Sequence, residues 1–414
     1  MKRLTRILFV RWVFGRGMLL ALFLLLACTP PTDRQMTSFK DWQQIEERAH
    51  GEAVTLMMWQ GDPLINNYMK RYVVPTVKER YNIDLNIIGG QGNEIVALLM
   101  TELEASKPVS TVDMTWINGE TFYQLRQING LYGPFTDHLP NNRYIDWENP
   151  FIAYDFQQPV EGFECPWGNV QFVLIYNAEK VADPPADPQA LAAWVKDNPG
   201  KFTLSNDFTG MTFLKSLLIY FAGGKDALNG PFDEEVYARA SGQLWAYLKE
   251  LKPYFWNRGE TFPFALAQLH QLYAQGEICF TMSNNDSEVE NKIAEGLFHP
   301  HTRSYVWESG TVQNAHYMGI VRHSGHKEAA MVVCNFLISP EAQLEKLKPD
   351  VWGDGTVLDS ARLPAAWKVK FSAAGERKAS PSRADISTRA LREPSPAYMI
   401  RIFEDFRKFI LEDQ

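Results

Sequence analysis

Apolar and polar positions follow two rhythms along this chain, and the rhythm switches repeatedly. Val54-Thr55-Leu56-Met57-Met58-Trp59 is an apolar run that stops at Gln60-Gly61-Asp62, the pattern of a buried strand. Asp62-Pro63 then opens a helix, with aspartate at the cap and proline in the first turn. Leu64, Ile65, Tyr68, Met69, Tyr72, Val73 and Val77 keep helical spacing behind it, and Pro75 inside that spacing predicts a kink or a break. Ile83–Ile88 alternates as a second strand, and residues 94–106 read as a helix. Val112–Ile117 is a third strand, ending at Asn118-Gly119-Glu120 before a helix from Thr121. Strands and helices in strict turn predict the α/β class with a mostly parallel sheet.

A turn-rich stretch from Gly133-Pro134 to Asn149-Pro150 closes this block, and a second one follows. Trp167–Asn177 is a long strand-like run, Asp187-Pro188 opens a helix, and Phe202-Thr203-Leu204 reads as a short strand. Helices are predicted over Phe213–Phe221, Asp233–Leu251 and Pro263–Gln275, then a buried strand at 276–282 ending in Ser283-Asn284-Asn285. Ala315–Val321 is a last long strand, followed by the helix Lys327–Leu337 and by a serine-capped helix at Ser339-Pro340. There are thus two α/β blocks, at about 50–165 and 178–312, and a return after 315. The runs 170–176 and 315–321 are the candidate crossings between them.

The N-terminal pattern is different. Lys2, Arg3, Arg6, Arg11 and Arg16 precede an apolar run, Met18–Ala27, of about ten residues, too short to span a bilayer as a helix. Leu25-Leu26-Ala27-Cys28 resembles a bacterial lipoprotein box, in which the cysteine becomes the lipidated first residue. Residues 1–28 are therefore expected to be an export signal and 29–50 a polar linker. The alternative is an uncleaved anchor. Export would remove five basic residues and no acid, leaving 36 basic residues against 49 acidic, a mature charge near −13. That field argues against nucleic acid or anionic lipid as the main partner and suits a cationic one.

Candidate chemistry lies at strand ends, where open α/β sheets bind ligands. The first block supplies Trp59, Gln60, Asp62, Asn118 and Glu120. The second supplies Asp207, Thr209, Gly210 and Thr212, then Ser283 and Asn284, with Trp167 and Trp307 near the crossings. Caps and turns favour the same residue types. The helix start at Thr209-Gly210-Met211-Thr212 offers backbone N–H groups to an anion such as phosphate. No hydrolase elbow, zinc-protease, nucleotide-loop or dinucleotide motif is present. Cys28, Cys165, Cys279 and Cys334 show no metal-ligand spacing, and the local pair in His299-Pro300-His301 reads as a surface loop, so no metal or cofactor is expected.

Trp59-Gln60-Gly61-Asp62 through Lys78-Glu79-Arg80-Tyr81, Trp116-Ile117-Asn118-Gly119-Glu120, Gly133-Pro134-Phe135, Pro166-Trp167-Gly168 and Asp207-Phe208-Thr209-Gly210 resemble the YnjB family of extracytoplasmic solute-binding proteins of ABC importers. Gly276-Glu277-Ile278, His326–Ala330 and Ser339–Gln343 match the wider superfamily. The resemblance implies a two-lobed, type II periplasmic-binding-protein-like fold, each lobe a mostly parallel sheet flanked by helices. Lobe 1 would hold residues 51–170 and 314–348, and lobe 2 residues 171–313 and 349–414. It further implies a monomer that is not an enzyme. Such a protein closes on a small solute, thiamine-like or polyamine-like, and docks on a membrane permease. An extracytoplasmic enzyme and a sensory or adaptor lipoprotein on the same fold remain the alternatives.

Overall fold

The computed structural model describes residues 42–374 and 376–412. The export signal and Cys28 lie outside the described residues. The strands, in chain order, are β1 (Ala53–Met58), β2 (Asp84–Gly89), β3 (Met114–Ile117), β4 (Leu131–Tyr132), β5 (Tyr154–Asp155), β6 (Gln158–Pro159), β7 (Glu164–Gln171), β8 (Val173–Asn177), β9 (Phe280–Ser283), β10 (Thr302–Tyr305), β11 (Thr311–Val321) and β12 (Ala390–Arg392).

β1 lies between β2 and β3 and is parallel to both, as the strand–helix alternation predicts. β11 returns antiparallel to β3 and also pairs with β4, β7 and β12, completing a sheet of order β12-β11-β3-β1-β2 with β4 and β7 on β11. Alternate residues of this sheet feed different cores. Val54, Leu56, Met58 and Met114 pack with Val73, Val77, Ala330 and Val333 on one face. Ile117 packs with Ile95, Leu99, Phe122 and Leu125 on the other. Period-2 alternation with helices on both faces is what an open α/β sheet requires.

The second sheet departs from the expectation of parallel strands. β8 is central, and both β9 and β10 run antiparallel to it. β9 and β10 are therefore parallel to each other and joined through the helix Glu288–Ala294, which is the local strand–helix–strand rhythm. β8 enters between them from the other sheet, a long-range insertion that periodicity cannot register. Its core joins Leu174, Ile175, Phe280 and Met282 to Leu214, Leu217 and Leu244. Phe202–Leu204, expected as a strand, is buried but forms no ladder, its neighbours bonding instead to Trp256 and Cys279.

The long run 167–177 divides at one residue. β7 belongs to the first sheet and β8 to the second, with Phe172 between them donating its N–H to Val312 O at 2.8 Å. β11 passes the same level at 312–314, opposite 170–172, so the second crossing falls just before the expected run 315–321, which pairs within the first sheet. Of the segment 349–414, Trp352, Val357, Leu358 and Leu363 join the core beneath the first sheet. Tyr398, Ile402 and Phe406 join the second core.

Pro75 does not end its helix. The backbone widens into a π-turn over Met69–Val73, and Pro75 then occupies the first turn of a helix running Val74–Tyr81. Widening removes the need for the N–H that proline lacks.

Candidate functional site

β1 and β3 are hydrogen-bonded neighbours, so the loops leaving them emerge together. Asp62 Oδ1 accepts from the Leu64 and Ile65 amides at 2.7 and 3.1 Å, the helix cap that the sequence predicts. Gln60 O accepts from Asn66 Nδ2 at 2.9 Å. Trp59 is 45% exposed. Its indole folds over Gly61 so closely that a Cβ there would lie 2.2 Å from the ring. Asn118 Oδ1 accepts from Thr121 Oγ1 at 3.3 Å, and Glu120 stands half-buried in the first turn of the helix Gly119–Gln127.

From the second sheet, Asp207 caps the helix Phe208–Ala222. Its Oδ1 accepts from Thr209 N, Gly210 N and Ser205 Oγ at 3.0, 3.1 and 2.7 Å. The helix-start amides offered to an anion by the sequence reading are thus already bonded. Thr212 Oγ1 donates to Phe208 O at 2.9 Å, and Gly210 lets the helix approach Ser205 O, which a Cβ would meet at 1.7 Å. Thr209 Oγ1 accepts from Asn284 Nδ2 at 3.1 Å, joining two predicted positions. Ser283 Oγ donates to Glu288 Oε2 at 3.2 Å. Burial pushes the Glu288 carboxyl up to about 7, with Asp62 adding to the effect and Lys292 opposing it. Asp62, from the first sheet, therefore acts on Glu288, from the second.

The two predicted tryptophans are enclosed. Trp307 is fully buried beside Phe213, ring centroids 5.5 Å apart, in the second core. Trp167 is also fully buried, within an aromatic cluster that the sequence reading missed in part. Trp116 meets it edge-on at 5.1 Å, and His316 and Trp352 lie 5.4 and 5.2 Å away. His316 Nε2 is 3.1 Å from Asp354 Oδ2, which also accepts from buried Lys346. Gly168 makes room for this pair, since a Cβ would lie 1.7 Å from His316 Nε2.

Beside the crossing strands lies the feature that sequence reasoning did not find. Lys215 Nζ, fully buried, donates to both carboxylate oxygens of Glu393 at 2.7 Å. It also sits 4.7 and 4.9 Å from the Phe156 and Phe208 ring centroids. Asp155 is buried near it, and Glu164 is buried near Asp155, with Arg126 opposing the effect of its burial. Asp155 Oδ2 and both oxygens of Glu164 have no hydrogen-bond partner. Burial drives both carboxyls well above the usual range, and each acid reinforces its neighbour: Glu393 acts on Asp155, and Asp155 on Glu164. Burial also lowers Lys215, with Glu393, Asp155 and Glu120 pulling it back up. A small recess opens here, lined by Asp155, Phe156, Gln157, Asn314, Arg392 and Glu393 among others.

The first strand-end group connects to this chamber. Glu120 acts on Lys215, and Phe156 packs on Gly119, where a Cβ would lie 1.9 Å from the ring. Of the strand-end residues, Glu120 is thus tied to Lys215, Asp62 acts on Glu288, and Thr209 is bonded to Asn284. The only sequence signal for the chamber was its scattered acids: Asp155, Glu164 and Glu393 lie in three distant segments.

Residues 73–375 match the family model described as bacterial extracellular solute-binding protein. The chain belongs to that family. It is 37% identical over 332 residues to protein YnjB of Escherichia coli strain K12, covering 79% of this chain and 85% of that one. Solved structures share the type II periplasmic-binding fold at low identity. The binding protein AfuA of Actinobacillus pleuropneumoniae, with exogenous fructose-6-phosphate bound, aligns with a TM-score of 0.60 at 11% identity, covering 87% of this chain and 98% of that one. The spermidine/putrescine protein PotD of Streptococcus pneumoniae gives 0.59 at 15%, covering 86% and 98%. Iron-bound HitA of Pseudomonas aeruginosa gives 0.55 at 15%, covering 85% and 98%. As a member of the bacterial extracellular solute-binding family, the chain is an exported protein that binds a solute. Among the described residues no helix is long and apolar enough to cross a membrane.

Proposed function

We propose that this solute-binding protein captures a small organic cation between its two sheets. The observation that carries the reading is a set of buried acids beside the crossing strands: Glu393 pairs with Lys215, Asp155 and Glu120 also act on that amine, and Glu164, next to Asp155 with Arg126 opposing its burial, has neither oxygen hydrogen-bonded. Buried acids without partners are held protonated, at a cost that an ammonium or a cationic ring offsets when it arrives. Phe156, Phe208, Trp59 and Trp116 supply aromatic faces that suit the same ligand class. Thiamine-like and polyamine-like solutes both fit; the capped amides of Thr209 and Gly210 favour a ligand without phosphate there.

Thermal shift and calorimetry on the mature chain, with thiamine, thiamine phosphates, putrescine, spermidine, fructose-6-phosphate and ferric iron, test this directly. Tight binding of a cation is expected. A response to the sugar phosphate alone would sink the cationic reading. Glu120→Gln and Trp59→Ala are expected to weaken binding without loss of fold, the former by about 2–5 kcal/mol if its partner is desolvated. Ligand recovered unchanged after long incubation would exclude turnover. We further propose that Cys28 carries a lipid that keeps the binder near its permease, raising its effective concentration there. Mass spectrometry of the mature N-terminus reads that mass directly.

A further inference from the structure

We propose that Glu179, His299 and His301 form a surface site for a first-row divalent cation of the zinc type, separate from the solute chamber. One ligand atom from each lies within 4.8 Å of the others. His301 Nε2 is 3.3 Å from Glu179 Oε1, and His299 Nδ1 is 3.7 Å from Glu179 Oε2. Around a tetrahedral zinc with bonds of about 2.0–2.1 Å, neighbouring donors sit about 3.3–3.4 Å apart. Each imidazole thus lies close to that spacing from one oxygen of Glu179, and a small side-chain adjustment brings all three donors onto one ion. Two imidazoles and one carboxylate suit zinc, copper or nickel better than calcium or magnesium, which take oxygen ligands.

The backbone presents these groups rigidly. The Ala178 amide donates to His301 O at 3.0 Å, the Thr302 amide to His299 O at 2.9 Å, and the Glu179 amide to Asn177 Oδ1 at 2.9 Å. Pro300 fixes the turn between the histidines, and their rings stack with centroids 5.1 Å apart and planes 25° from parallel. His299 Nδ1 faces the His301 amide at 3.3 Å, a long bond whose lone pair a metal would take over. All three side chains are about half exposed, so the fourth position is open to water. The motif His299-Pro300-His301 is only half of the set. Glu179 arrives from the far side of a strand pair, because Asn177 at the end of β8 lies opposite Thr302.

The register also shows that the site is independent of the chamber. Val173, at the other end of β8, pairs with Ser283 of the solute-facing loop. Metal loading at Glu179 therefore leaves that loop free.

Calorimetry of the tag-free, chelator-stripped full chain with zinc chloride tests the proposal, with cobalt(II) absorption reporting the ligand set. One zinc per chain is expected, with a cobalt spectrum of nitrogen and oxygen donors. His301→Ala and Glu179→Ala should each weaken the affinity by at least about tenfold, since losing even an outer-shell partner of a metal ligand costs that much. Both variants lie on the surface, and an unchanged melting temperature without metal confirms that they fold. No zinc uptake, unchanged affinity in both variants, or a thiolate signature in the cobalt spectrum would overturn the assignment.

Discussion

His270 packs on Phe298 with the rings tilted by 31° and 5.1 Å between centroids, and neither of its ring nitrogens has a partner. Burial, with Lys292 adding to it, pushes its pKa down to about 3. The folded value lies below the unfolded one of about 6.5, so its contribution to stability is complete above that pH and is lost as pH falls toward 3. The slope is about 1.4 kcal/mol per pH unit within that window. His270→Phe removes the titration and keeps the stacking. Urea unfolding at pH 7 and pH 5 should show the variant losing about 2 kcal/mol less than the parent between the two. Equal losses would mean that the ring is charged inside the fold.

At the scale of elements, the helix Phe208–Ala222 carries a glycine in its first turn for a tertiary reason. Replacing a helical glycine by alanine normally stabilises by about 1 kcal/mol. Here the added Cβ would meet Ser205 O at 1.7 Å, and such overpacking costs about 3 kcal/mol. Gly210→Ala is therefore expected to lower the melting temperature, and a rise would show that the loop at Ser205 yields freely. This position also marks the boundary of what sequence shows. Asp62, Asp187 and Ser339 were legible as caps because their partners are two or three residues away, whereas Asp207, read as a ligand contact before a helix from Phe213, caps a helix that starts at Phe208. The reading of Gly210 as an anion contact failed for the opposite reason: the same amides that a phosphate would use are the ones the cap consumes. Pro75 is a milder case, where a local rule predicted a break and neighbouring packing accepted a wider turn.

At the scale of the molecule, two α/β blocks and the crossing near 170–176 were legible from strand rhythm, while the second crossing and the chamber were not. Lys215 and Glu393 are 178 residues apart, and nothing local marks them as partners. The same is true of the clasp made by Arg383. Its Nη2 donates to Asp286 Oδ1 at 2.7 Å, Ser287 Oγ at 3.1 Å and Gly353 O at 2.6 Å. Gly353 follows Trp352 of the first core, whereas Asp286 and Ser287 follow β9 of the second sheet. Arg377, 3.3 Å from Asp286, keeps that acid paired if Arg383 is lost. Arg383→Ala should therefore release the two sides without leaving a bare buried charge. Small-angle scattering of the ligand-free protein is expected to show a larger radius of gyration, with several-fold weaker ligand affinity, because the competent state is less populated. Identical scattering curves would remove the clasp from any account of closure.

Phe172 is a single residue between two strands of different sheets, and its amide bonds to Val312 on the neighbouring crossing strand. A hinge placed at this point would be a stretch of intact ladder rather than a slack loop. A swing of one sheet against the other can be taken up as extra twist in two paired ribbons, with no backbone bond broken on the way. Such a joint behaves as a torsion spring: it returns, it resists sliding, and it confines the mouth of the cleft to one arc of travel.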